Sequence, residues 1–188
     1  MDVFCITASV DKWSLSKSPR LQSKIPKCFG WQIYPGHEYY LWRDDNITLN
    51  EGAEEYIFDP EYDVVVFRHP QRNTIEWEHR YNWRGLFNNK PSRYLQTRYL
   101  GELQREQKHA VFEDKDYVDD LLVNGGIFMY RNTLKVQEML KEWFYHISRY
   151  NINDQLSFAY VLKKSGLKVK ILPDDITDCK WFKVKRHK

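Results

Sequence analysis

The stretch from Asn124 to Pro173, NGGIFMYRNTLKVQEMLKEWFYHISRYNINDQLSFAYVLKKSGLKVKILP, decides the fold. Ile127 to Tyr130 is a short apolar run of the kind that makes a buried strand. After it, Val136, Met139, Leu140, Trp143, Phe144 and Ile147 recur at helical spacing, so Thr133 to Ser148 reads as a helix with one apolar face, capped by Asn132 or Thr133. Asp154 to Lys164 reads as a second helix, with Asn153 placed to cap its start and Gly166 just past its end, and Val169 to Leu172 as another buried strand. Working outward, Val64 to Phe67, Tyr39 to Trp42 and Val3 to Thr7 read as further strands, and the more polar segments Thr74 to Asn88 and Ser92 to Lys108 as helices. Strands alternating with helices predict an α/β fold, a Rossmann-like, mainly parallel sheet flanked by helices. In such sheets ligands bind beyond the carboxyl ends of the strands.

The 188 residues suit one domain, residues 1–188, ending in a basic tail over 180–188. A chain with 42% hydrophobic and 29% charged residues is not disordered, and a net charge of +3 falls short of a nucleic-acid footprint. No stretch approaches the roughly 18 apolar residues that a membrane span requires. The opening MDVFCITASVDKW has no leader pattern, which makes the cytoplasm the expected compartment. Cys5, Cys28 and Cys179 match neither a disulfide framework nor a paired zinc spacing, and are expected to be reduced.

Four constellations sit where chemistry is expected. Asp44, Asp45 and Asn46 follow a buried strand, and hard oxygen ligands there suit Mg²⁺ or Mn²⁺ bridging a diphosphate, although Asp-Asp-Asn is also ordinary turn chemistry. Asn124, Gly125 and Gly126 allow either a tight turn feeding a strand or close approach of a ligand. Asp154 and Gln155 open a helix, where a carboxylate is also favoured simply by the helix dipole. His187 lies in the basic tail, a terminus that reads most simply as solvated, where a histidine is more often just exposed to water.

Taken in order, these motifs resemble the GT-A nucleotide-sugar glycosyltransferases. The closest resemblance is to a glycosyltransferase-like family, formerly a domain of unknown function, with plant mucilage-related, bacterial and large algal virus members. The matching stretches are SKIPK, YYLWRDDNITL, VVVFRHPQRNTIEWE, NGGIFMYRN, NDQLSFAYVLKKSGLKVKILP and KRHK, in order from Ser23 to Lys188. The resemblance implies a GT-A-like fold and a metal-dependent hexosyl- or deoxyhexosyltransferase using a nucleotide sugar, UDP-linked by preference, a Mn²⁺ or Mg²⁺ ion, and a glycan or glycoprotein acceptor. It implies Asp44, Asn46 and His187 as metal ligands, with Asp45 a further candidate because the neutral Asn46 holds an ion less tightly. Asn124 matches a position contacting sugar hydroxyls, with Gly125 beside it, and Lys24 a lysine ahead of the metal strand. Asp154 and Gln155 resemble the Asp-Gln pair of retaining, glycogenin-like enzymes, placed near the anomeric carbon. Lys183, Lys185 and Arg186 are positioned to fold over the leaving group.

HPQRNTIEWE contains His69, Arg72 and Glu78; Arg72 suits either phosphate or an ion pair with Glu76 or another nearby carboxylate. Only about forty residues precede Asp44, a minimal βαβ-sized unit, so either Thr7, Ala8 and Ser9 at the first strand's end take the base or donor recognition is altered. Seven Trp, thirteen Tyr and ten Phe exceed what a core demands. Trp42, Trp143 and Phe144 read as core, whereas Trp77, Tyr81, Trp83 and Trp181 are candidates for an acceptor-sugar platform. Competing readings are a nucleic-acid-binding module, in which aromatics interleaved with basic residues stack bases, and a non-catalytic carbohydrate-binding, transferase-like protein. The low net charge and the lack of a binding motif weigh against nucleic acid.

Overall fold

The computed structural model describes residues 2–8, 16, 18–86 and 101–185. In chain order its elements are β1 (Val3–Ile6), α1 (Pro19–Gln22), α2 (Lys24–Ile33), β2 (Tyr39–Arg43), β3 (Ile47–Leu49), α3 (Ala53–Ile57), β4 (Val64–Arg68), α4 (Ile75–Leu86), α5 (Gly101–Phe112), β5 (Val123–Arg131), α6 (Leu134–Arg149), α7 (Gln155–Ser165), β6 (Val169–Leu172) and β7 (Phe182–Val184). All five expected strands and the α6 and α7 helices form. Part of the expected Ser92 to Lys108 helix, residues 92–100, lies outside the described residues, as do 87 and 88 of the Thr74 to Asn88 helix.

Five strands make one sheet in the order β1-β2-β5-β4-β6. β1 and β2 are parallel, as are β4 and β6, while β5 runs against both its neighbours. Four strands therefore point one way, and the sheet is mainly parallel with one reversed strand at its centre. Apolar residues occur without alternation in β2, β4 and β5 because both faces of the sheet are covered. Tyr40, Trp42, Val64, Val66, Phe128 and Tyr130 pack on one face with residues of α2, α6 and α7. Leu41, Val65, Phe67, Ile127 and Met129 pack on the other with α3 and the small β3–β7 sheet.

Thr133 caps α6 by accepting from the Val136 N–H at 3.3 Å, and Gly166 ends α7 in the left-handed region that favours glycine. Trp143 and Phe158 stack at 3.7 Å and fasten α6 to α7. Burial pushes His79 and His146 down to about 4, so both are neutral core histidines at pH 7. For His146, burial outweighs the Glu142 carboxylate 3.6 Å away, which is itself mostly in solvent.

Two expectations change. Asn124, Gly125 and Gly126 are not a turn ahead of a strand but lie inside β5. The basic tail is not simply solvated, since Phe182 to Val184 pair antiparallel with β3, and Phe182 is buried. No helix among the described residues is long and apolar enough to cross a membrane.

Candidate active site

Asp44 leaves β2 at the sheet's carboxyl edge. Its N–H donates to Gly126 O at 2.7 Å, its carbonyl accepts from Ile47 N at 2.9 Å, and its Oδ1 accepts from the Trp42 indole at 3.2 Å. Asp44 to Ile47 is thus a tight turn as well as a presented carboxylate; the core tryptophan of β2 aims that carboxylate. Asn46 donates its Nδ2 to Lys185 O at 3.3 Å and accepts from Lys185 N at 2.8 Å, so the tail's Lys185 lies directly against the Asp-Asp-Asn turn. Asp45 is exposed beside them. Because Ile6 pairs with Trp42, Thr7 and Ala8 leave the sheet at the same edge. Ser9, Arg186 and His187 lie outside the described residues.

The glycines of β5 bring this turn to a second carboxylate. Pairing with β4 steps from Val66 and Phe128 to Phe67 and Asn124, so β5 bulges at this point. The Asn124 Oδ1 accepts from Gly126 N at 2.7 Å and holds the bulge closed. A Cβ on Gly125 would stand 2.8 Å from Asp154 Oδ1, and one on Gly126 would stand 2.9 Å from Asn124 Oδ1 and 3.4 Å from Asp44 Oδ2. Only glycine lets the backbone lie this close to both carboxylates.

Asp154 is buried, and its side chain does not cap α7. That task falls to Asn153, whose Oδ1 accepts from Gln155 N at 3.3 Å. The Asp154 Oδ2 instead accepts from two ammonium groups, Lys24 at 2.6 Å and Lys27 at 2.5 Å. Lys27 also donates to Gly125 O at 2.9 Å, sits 3.4 Å from Asp44 Oδ1 and lies 5.0 Å from the centre of the Trp42 ring. The Trp143 indole donates to Asp154 O at 3.0 Å. Burial alone would raise the Asp154 carboxyl, but the two lysines pull it well below the usual carboxylate range, so it is ionised. Burial opposes the charge on Lys27 too; Asp154 and Asp44 more than offset it and hold the ammonium charged. For Lys24, burial together with the neighbouring Lys27 charge outweighs Asp154 and Asp44 and lowers the ammonium below the ordinary lysine range.

Lys27 was not among the residues expected here. Its signal was its spacing: Lys24, Lys27 and Cys28 stand at i, i+3 and i+4 on the buried face of α2. A charged residue placed on a helix's core side implies a buried partner.

Other expected site residues make contacts outside this cluster. Arg72 forms its ion pair with Glu78, not with Glu76, whose carboxylate holds Arg80 and Lys108. Trp77 and Tyr81 are 49% and 58% exposed on α4, and the Arg72 guanidinium stacks 4.3 Å from the Tyr81 ring centre. Trp83 lines a cleft of about 440 Å³ between α4 and α5, with Arg84 and Arg105. Trp181 stacks on Tyr56 at 4.8 Å, which packs it against the fold rather than presenting it freely.

Among the described residues no group of three or more His, Cys, Asp and Glu is placed to hold a metal. The donors at the Asp-Asp-Asn turn nonetheless fit a divalent ion bound mainly through substrate phosphates. Asn46 points its amide N–H at Lys185 O, leaving Oδ1 as a donor atom, and the Asp44 side chain is 45% exposed.

The family model described as TOD1/MUCI70, glycosyltransferase-like domain, matches residues 9–187. No curated protein sequence matches. Among solved structures, one similar chain is a glycosyltransferase involved in glycosylation of the major capsid of PBCV-1, with TM-score 0.45, 12% identity, and 86% of this chain and 63% of that one covered. Another is mouse xyloside xylosyltransferase 1 in its apo form, with TM-score 0.42, 14% identity, and coverage of 84% and 53%. The chain therefore spans less than two thirds of the length of either.

Proposed function

The chain belongs to the TOD1/MUCI70 glycosyltransferase-like domain family, and from that premise we propose that it transfers a sugar from a nucleotide-sugar donor to a glycan or glycoprotein acceptor, in a metal-dependent reaction that retains anomeric configuration. The observation that carries the reading is the convergence of three separate motifs. Asp44 after β2, the Asn124–Gly126 bulge of β5 and Asp154 before α7 meet through Lys27.

In this reading the diphosphate lies over the Asp44–Asn46 turn and the adjoining Lys183 and Lys185. Asp44 and Asn46, with His187 and Asp45 as further candidates, would hold Mn²⁺ or Mg²⁺, which when bound neutralises charge on the leaving diphosphate. Thr7 and Ala8, at the sheet edge that Asp44 also leaves, are the described candidates to meet the base, UDP's uracil by preference. The sugar rests against Asn124 and the glycine backbone. Asp154 offers it Oδ1, because Oδ2 is occupied by Lys24 and Lys27. The bond from the anomeric carbon to the diphosphate oxygen breaks with its electron pair leaving on the diphosphate. An acceptor hydroxyl oxygen bonds that carbon on the same face, and its proton passes to the departing phosphate oxygen. The fixed carboxylate of Asp154, with the Gln155 amide beside it, favours the positive charge developing at the anomeric carbon. Trp77, Tyr81, Trp83 and Trp181 are the candidate acceptor platform.

The test is incubation with Mn²⁺ and a panel of nucleotide sugars, following donor hydrolysis by NMR. The expected first product is free sugar in the donor's own anomeric configuration, formed only with metal. Inverted product removes retention and the role given to Asp154; no turnover of any donor removes the transferase reading.

A further inference from the structure

The HPQR turn and α4 meet the catalytic turn through one buried side chain, Glu78. Its Oε2 accepts from the Arg72 Nε, and its Oε1 accepts from Asn153 Nδ2 at 3.2 Å and from Asn82 Nδ2 at 3.4 Å. Arg72 is itself placed by the turn before α4. The His69 Nδ1 accepts from the backbone N–H of Gln71 and of Arg72, at 3.2 and 3.1 Å, and the Arg72 guanidinium stacks on Tyr81. Asn153 has no freedom to rotate its amide, since its Oδ1 is committed to Gln155 N and its own N–H to Asn151 Oδ1. Its Nδ2 amide group must therefore be the side that faces Glu78, and a carboxylate is the group that can accept from Arg72 and Asn153 together. The contacts run without a break from an exposed ring on α4 through Arg72, Glu78 and Asn153 to the residues on either side of the Asp154 peptide.

From this geometry we infer that Glu78 is a positioning residue for transfer: it fixes Asn153, and through it the Asp154–Gln155 turn, from the side on which Tyr81 and Trp77 face solvent. The inference rests on the transferase reading for its kinetic consequence but not for its structural one. It gives the HPQRNTIEWE stretch a task that neither donor phosphate nor metal requires.

A charge-neutral exchange tests it. In Glu78→Gln the amide oxygen serves Arg72, the stronger donor, and the amide nitrogen faces the Asn153 nitrogen. In Asn153→Asp two carboxylates face each other. The double variant Glu78→Gln with Asn153→Asp restores complementary pairing with its polarity reversed, while the new carboxylate still accepts from Gln155 N. The amides of residues 155–158 in Glu78→Gln are expected to exchange hydrogen at least tenfold faster than in the parent, and those of β2 and β5 at the parent's rate. Each single variant is expected to lose at least tenfold in kcat for donor hydrolysis with nucleotide affinity unchanged, and the double variant to recover both readings to within about threefold. Unchanged exchange in Glu78→Gln, or a double variant no better than the singles, overturns the inference. A general structural defect also overturns it, and would be seen as equal losses of kcat, affinity and thermal stability. If the parent turns over no donor, the transferase reading fails, and the exchange measurement still decides the role of Glu78.

Discussion

Asp154→Asn is expected to lower donor hydrolysis by about 10²–10³-fold and to destabilise the fold by about 3–5 kcal/mol. The substitution keeps the shape of the side chain and removes its charge, so neither loss can be assigned to packing. Its catalytic effect follows from the position of the carboxylate. It is fixed at a helix start by the Trp143 indole on its backbone carbonyl, and is held ionised, with Oδ1 facing the gap left by Gly125. Preorganised charge in a partly dry site stabilises a developing charge far better than water does. The cost to stability follows from what remains: two ammonium groups, with side chains 11% and 2% exposed, that have lost their common counter-ion. For a chain of this size the melting temperature should fall on the order of 10 °C, measurable by calorimetry. A variant of parental stability would mean that the lysines are solvated and the buried ion pairs are absent in solution.

Lys27→Met is expected to destabilise the fold by a similar ~3–5 kcal/mol, with hydrolysis reduced to near background. Methionine matches the lysine stem in volume, so the effect isolates the ammonium group. Lys27 places its three donor hydrogens among Asp154 Oδ2, Gly125 O and Asp44 Oδ1. Without it the Gly125 carbonyl loses its donor, and Lys24, on Asp154 Oδ2, is left alone to offset two carboxylates. The Asp154 carboxyl then rises from its depressed value. The two substitutions should not add. In Asp154→Asn with Lys27→Met one buried charge is removed along with the other, so the double variant should be more stable than the summed single losses predict, by roughly 1–3 kcal/mol in a double-mutant cycle. Strict additivity would show that Lys27 and Asp154 do not interact in the folded protein.

The strands were legible because β2, β4 and β5 are buried on both faces and carry uninterrupted apolar runs, and α6 because its apolar residues hold a 3.6-residue period. The reversed direction of β5 was not legible, since an apolar run has no polarity. Asn124, Gly125 and Gly126 read as a turn because turn chemistry and a glycine bulge inside a strand draw on the same residues. Strands β3 and β7 escaped because each is three residues long, and β7 is embedded in a basic tail whose charge suggested solvent. The Asp44 and Asp154 motifs could be named from sequence, but what joins them could not. Lys24 and Lys27 are 130 and 127 residues from Asp154, and only the packing of α2 against α6 brings them beside it.

Titration calorimetry of the chain with UDP and UDP-sugars, with Mn²⁺ present and then chelated, measures whether the Asp44 turn binds a donor through a metal. Nucleotide binding is expected to be saturable, to require the metal and to weaken at least tenfold in an Asp44→Ala protein that remains folded. Nucleotide binding of equal strength with and without metal, or undiminished in Asp44→Ala, would mean that the Asp44 turn holds no metal-bridged diphosphate.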